Sequence, residues 1–148
     1  MFQQLMDNLL GLLNPEDEQQ AALDPALCAA VLMYEVVQAD HSVSDAELIS
    51  LSRSLAHLFD TEPDRLQVIL ETARQTQETS VGVYEFTRTL NERCDQESKV
   101  KVVAALWQIA WADDHVDDLE EHTIRRISDL LYVSHSDFIA AKLAAKKA

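Results

Sequence analysis

The chain is poor in the residues that punctuate a fold. Its 148 residues include 2 Gly, 3 Pro and 2 Cys. A phosphate-cradling loop or a dinucleotide fingerprint needs clustered glycines, because backbone amides must approach the phosphates. Gly11 and Gly82 stand alone, so both motifs are excluded. Cys28 and Cys94 are too few and too far apart for a disulfide framework or a cysteine zinc cluster. Two buried free thiols in a reducing compartment are expected instead. Positive charge is scarce as well: 12 Lys and Arg stand against 26 Asp and Glu, a formal charge of −14. Such a chain repels phosphate backbones, which argues against nucleic acid as a partner. Anionic membrane surfaces are disfavoured by the same Coulomb argument. Cations and basic protein surfaces are favoured, and solubility follows too.

Long apolar runs are also missing. No stretch reaches 18 apolar residues, so no span is expected. The start lacks a basic region and an Ala-x-Ala-like cleavage site, which argues against a secretory signal. The expected location is cytoplasmic. No His-Glu-x-x-His pair, Gly-x-Ser-x-Gly elbow or di-iron Glu-x-x-His pair occurs. Nothing nominates a nucleophile or a general base, so the chain reads as a non-enzyme with no organic cofactor.

What is present is helical periodicity. Residues 1–13 put Phe2, Leu5, Met6, Leu9, Leu10, Leu12 and Leu13 on one stripe. That amphipathic helix and the polar stretch to residue 23 form a first unit, suited to packing on its own domain or pairing a second copy. Asp24-Pro25 has the form of an N-cap and first helical residue. The run 26–39 that follows is apolar on most sides, which marks a central helix. Leu48, Leu51, Leu55, Leu58 and Phe59 predict a buried stripe on the next helix, and Leu66, Ile69, Leu70 and Ala73 on the one after. Gln75–Gly82 is polar and reads as a loop; Val83, Phe86, Leu90 and Cys94 mark a short helix. Residues 100–112, with Trp107 and Trp111 as core, predict a second central helix. Ile124, Ile127, Leu130 and Leu131 face inward on the next, and Phe138, Ile139 and Leu143 on the last. No sustained period-two alternation occurs. The expected fold is all-α: one domain over 24–148, seven or eight helices, with the two central helices side by side and short, antiparallel connections.

The two central helices end in the same phrase. Ala39-Asp40-His41-Ser42-Val43-Ser44-Asp45-Ala46-Glu47 aligns without gaps on Ala112-Asp113-Asp114-His115-Val116-Asp117-Asp118-Leu119-Glu120. Both follow Ala-Asp-x-x-Val-(Ser/Asp)-x-x-Glu, a repeat that predicts two pseudo-symmetric helix–turn–helix units. Ser44 with Glu47, and Asp117 with Glu120, have capping-box spacing. Capping and the helix dipole account for the acids of the first turns. Asp40 and Asp113 are different, because they end helices, where negative charge is disfavoured. Each could serve an Asx turn or pair with a cation. Hard cations take carboxylate, hydroxyl and water oxygens. The metal-ligand candidates are therefore Asp40, Glu47, Asp113, Asp117 and Glu120, with Ser44, His41 and His115 as weaker ones. Ca²⁺ or Mg²⁺/Mn²⁺ fits these donors better than Zn²⁺. The second copy offers one carboxylate more and is expected to bind more tightly. Neither copy has the Asp-rich, Gly-centred pattern of an EF-hand loop.

These repeated turns resemble the TerB family, the helical domain linked to bacterial tellurite resistance. They are also similar to the N-terminal domain of membrane-anchored DnaJ-type co-chaperones. The shared pattern is an apolar helix ending in Ala-Asp-Gly, then a hydrophobic residue, a cap and a Glu, given twice. The likeness covers about residues 24–145. Here the Gly positions hold His41 and Asp114. That position calls for a left-handed backbone, which Asp tolerates better than His. The resemblance implies an all-α domain whose acids at Asp40, Glu47, Asp113 and Glu120 bind divalent metal. It also implies a stress role through a protein partner near the inner membrane. Two expectations follow: a metal-binding or metal-sensing module, or a non-catalytic interaction module in which metal is incidental. In either, residues 1–13 could form a homodimer.

Overall fold

The computed structural model describes residues 24–147. The predicted helix over 1–13, the linker after it and any pairing they mediate lie outside the described residues. Within them the chain is all-helical, one domain, with no strand. Seven helices follow in order: α1 (Pro25–Val37), α2 (Asp45–Phe59), α3 (Pro63–Thr79), α4 (Tyr84–Arg93), α5 (Gln96–Ala110), α6 (Asp118–Leu130) and α7 (His135–Lys147).

Their starts are chemically marked. The Asp24 side chain accepts the Ala26 N–H at 2.9 Å, and Pro25 fills the first helical position. Asp24 also pairs with Arg65 at the start of α3. Asp95 accepts the Ser98 N–H at 2.8 Å to open α5, and Ser134 accepts the Asp137 N–H at 3.1 Å to open α7. Each such cap is worth about 1 kcal/mol.

The centre is α1. Its Ala29, Ala30, Leu32, Met33, Val36 and Val37 are fully enclosed. It touches α2, α3, α4, α5 and α6, which is why its sequence is apolar all round. Burying a Leu or Met of this kind stabilises by about 1.5–3 kcal/mol. The second central helix, α5, lies against α1 and α2 and is covered by α7. Trp107 is fully buried and meets the Phe138 ring at 5.4 Å between centroids. Cys28 is buried and Cys94 half-buried, both free thiols. Burial raises both, Cys28 to about 11, so neither is a ready nucleophile.

Two expectations are corrected. Gln75–Thr79 is not loop; it is the last turn and a half of α3. The polar side chains there satisfy one another along the helix. Arg74 bridges Glu71 and Glu78 at 2.8 and 2.9 Å, and the Thr76 hydroxyl donates to the Thr72 carbonyl at 2.7 Å inside the protein. The connection shrinks to residues 80–83. Leu143 does not point inward; it is half exposed. The inward face of α7 uses Phe138, Ala141 and Ala145, and small residues let it lie close to α5.

Candidate functional site

The two repeated turns have the same backbone, bond for bond. Ala39 N–H donates to Val36 O at 3.2 Å, and Ala112 N–H to Ile109 O at 3.1 Å. His41 N–H donates to Gln38 O at 3.0 Å, and Asp114 N–H to Trp111 O at 2.9 Å. Both residues are left-handed, His41 at φ 60° and Asp114 at φ 64°. These are the positions where glycine was expected, so the turn keeps its geometry at a cost in strain.

The helix-ending aspartates have local partners. Asp40 Oδ1 accepts the Ser42 N–H at 3.0 Å, and Asp113 Oδ1 accepts the His115 N–H at 3.3 Å. Each forms an Asx turn that closes the helix end. Asp40 is half-buried; Asp113, His41 and His115 are exposed. Ser44 and Asp117 are N-caps: Ser44 Oγ accepts the Glu47 N–H at 3.1 Å, and Asp117 Oδ1 accepts the Leu119 N–H at 2.8 Å.

The glutamates complete the capping boxes with one oxygen each. Glu47 Oε1 accepts from the Ser44 N–H at 3.4 Å and the Ser44 hydroxyl at 3.0 Å. Glu120 Oε1 accepts the Asp117 N–H at 3.0 Å. Both side chains are buried, each only 3% exposed. A capping glutamate at the start of a surface helix is normally wet. Both are enclosed here, and Glu120 lies close enough to Glu47 for that carboxyl to act on it.

That contact sets the chemistry. Burial, then the hydrogen bond to Glu47, then the charges of Glu47 and Asp40, push Glu120 up to about 9; the Asp117 N–H opposes them. The direction favours a proton held at the pair. Among the described residues, neither Oε2 of Glu47 nor Oε2 of Glu120 has a hydrogen-bond partner, and both are buried. Two like-charged carboxylates cannot share such a site, and a proton between them resolves the conflict.

The two copies thus contribute one glutamate each to a common centre, where two separate sites were anticipated. Asp40 is near enough for its charge to act on Glu120. Among the described residues no three His, Cys, Asp or Glu side chains form a group that could hold a metal ion. The sequence reading missed the pairing itself, since capping explains each glutamate singly. The recurrence of a capping glutamate after each central apolar helix was the available signal. It missed also a trough between α2 and α5, whose walls carry Arg53, His57 and Lys101.

The description "Tellurite resistance protein TerB" matches residues 26–143, which take in all of both turns. The chain belongs to the TerB family. Comparison with curated proteins and with solved structures found no match. The TerB match spans α1 to α7, from the second residue of α1 to within four residues of the end of α7. It thus identifies the whole described domain as a tellurite-resistance-associated helical module. Among the described residues no helix is long and apolar enough to cross a membrane.

Proposed function

We propose that this TerB-family domain is a non-catalytic module that takes up a divalent cation at Glu47 and Glu120, in exchange for the proton they hold. The observation that carries this reading is the pair of buried, orphaned Oε2 atoms. Two carboxylate oxygens without donors suit a hard cation, which supplies positive charge where no N–H reaches. Asp40 adds negative charge nearby. With two protein carboxylates, water would complete the shell, as Mg²⁺ commonly keeps it. Asp113, Asp117, Ser44, His41 and His115 serve the turns around the site. Within the tellurite-resistance context of the family, such a module reports cation level through the packing of α1, α2, α5 and α6.

The test is calorimetric titration with Mg²⁺, Mn²⁺, Ca²⁺ and Zn²⁺ at pH 7, in two buffers of different ionisation heat. One ion should bind with release of about one proton, since ligands must be deprotonated. Glu47→Gln/Glu120→Gln should abolish both heat and proton release. Binding without proton release, or unchanged in the double variant, would remove the pair from the site. A second reading, a protein-docking module with metal incidental, draws on exposed Val81, Tyr84 and Tyr132. Under it, Tyr84→Ala/Tyr132→Ala would abolish partner capture and leave cation titration unchanged.

A further inference from the structure

Two adjoining hollows run between α2 and α5, of about 730 and 290 Å³. Small side chains leave the space: Ser50 and Ser54 on α2, and Ala104, Ala105 and Ala112 on α5. The larger hollow has the size of a small-molecule site, for which about 300–1,000 Å³ is usual. Its polar groups can all donate a hydrogen bond. Arg53, His57, Ser50, Ser54 and Gln108 line it, and no acid does. None of these five side chains makes a hydrogen bond or ion pair with any described residue. Other groups of the same kinds in this domain are committed. Thr76, Thr89 and Thr123 return their hydroxyls to the carbonyl four residues back, at 2.7, 3.1 and 2.8 Å. Ser50 and Ser54, mid-helix and half-buried, do not. Arg65, Arg74 and Arg88 each hold a carboxylate, and Arg53 holds none. Lys101 lines only the smaller hollow, and its charge already serves Glu97 and Asp95. The uncommitted charge of the larger hollow is therefore Arg53 alone.

One guanidinium among neutral donors selects the ligand. It binds a carboxylate through two parallel N–H bonds, with hydroxyls and an amide in the same hollow as further donors. A phosphate head would bring a second negative charge that nothing here meets, in a chain of charge −14. The rest of the wall is apolar. Exposed Ile49 lies there with Ala46 and Ala112. We propose that the α2–α5 trough binds a small organic acid with an aliphatic body, its carboxylate on Arg53 and its body along Ile49, Ala46 and Ala112. Neither Glu47 nor Glu120 lines the trough, so this site stands apart from the glutamate pair.

The experiment is an amide NMR titration of the full chain at about 0.1 M salt, where charges beyond about 10 Å are screened. The probes are octanoate, octylammonium and acetate. Octanoate at millimolar concentration should move the signals of Ser50, Ser54 and Gln108. Octylammonium has the same body with the opposite charge, and acetate the same head without the body; both should bind at least tenfold more weakly. Arg53→Gln, at an exposed position, should weaken octanoate at least tenfold. Arg88→Gln makes the same charge change on α4 and should leave octanoate binding unchanged. Ser54→Leu fills the trough without altering charge and should weaken it as well. No octanoate shift at these residues, equal binding of octylammonium, or equal weakening by Arg53→Gln and Arg88→Gln would overturn the proposal.

Discussion

The turn at 38–47 and the turn at 111–120 share every backbone hydrogen bond described above, yet they treat their glutamates differently. Glu47 receives two donors, the N–H and the hydroxyl of Ser44. Glu120 receives one, the Asp117 N–H, because the cap there is a carboxylate and has no proton to give. The upward push falls on Glu120, the side with fewer donors. Ser44 and Asp117 hold the same place in the two repeats and give their glutamates different donors. Geometry comes from what the repeats share, and chemistry from what they do not.

The largest effect that would break this comparison is pH. Glu120 has a raised folded pKa, so the folded state holds a proton that the unfolded chain releases above about 4.5. The associated stability is complete below about 4.5 and is lost as pH rises toward about 9. Stability should therefore fall by on the order of 3 kcal/mol between pH 6 and 8. Urea unfolding across that range should show the loss, and Glu120→Gln should flatten it. A wild-type profile as flat as the variant's would mean that the pair is not protonated.

Exchanging the caps sharpens the point. Asp117→Ser removes a nearby carboxylate and gives Glu120 a hydroxyl donor, making the two turns alike. The Glu120 pKa should fall by about one unit, equivalent to about 1.4 kcal/mol. A titration of its side-chain carboxyl signal would read this directly. An unmoved midpoint would mean that the caps do not decide where the proton sits. The smallest effect concerns the left-handed residues. His41→Gly should stabilise by about 0.5 kcal/mol and Asp114→Gly by less, since Asp tolerates that conformation better. Equal melting shifts for the two would show that the turns bear the same strain.

Much of this architecture is legible in the residues. α1 and α5 announce themselves because they are apolar on most sides, and the N-caps at Asp24, Ser44, Asp95, Asp117 and Ser134 fix where helices begin. The left-handed turn position is legible too, from the place of the missing glycine. The end of α3 is not, because composition cannot tell a solvated loop from a helix whose polar side chains bond along its own length, as Arg74 does with Glu71 and Glu78. Nor is the inward face of α7, where the close approach to α5 selects Ala141 and Ala145 over the larger Leu143. The meeting of Glu47 with Glu120 is a tertiary event. Each glutamate has a sufficient local reason to exist, and only tertiary packing encloses both.

The central claim is that Glu47 and Glu120 hold a proton that a divalent cation can displace. The most direct measurement is a carbon-13 NMR titration of the Glu120 carboxyl from pH 4 to 10, with and without excess Mg²⁺ or Ca²⁺, both diamagnetic. The account predicts a midpoint near 9 without cation, shifted to lower pH by at least one unit with it. A midpoint in the usual carboxylate range, or one that no cation moves, would contradict it.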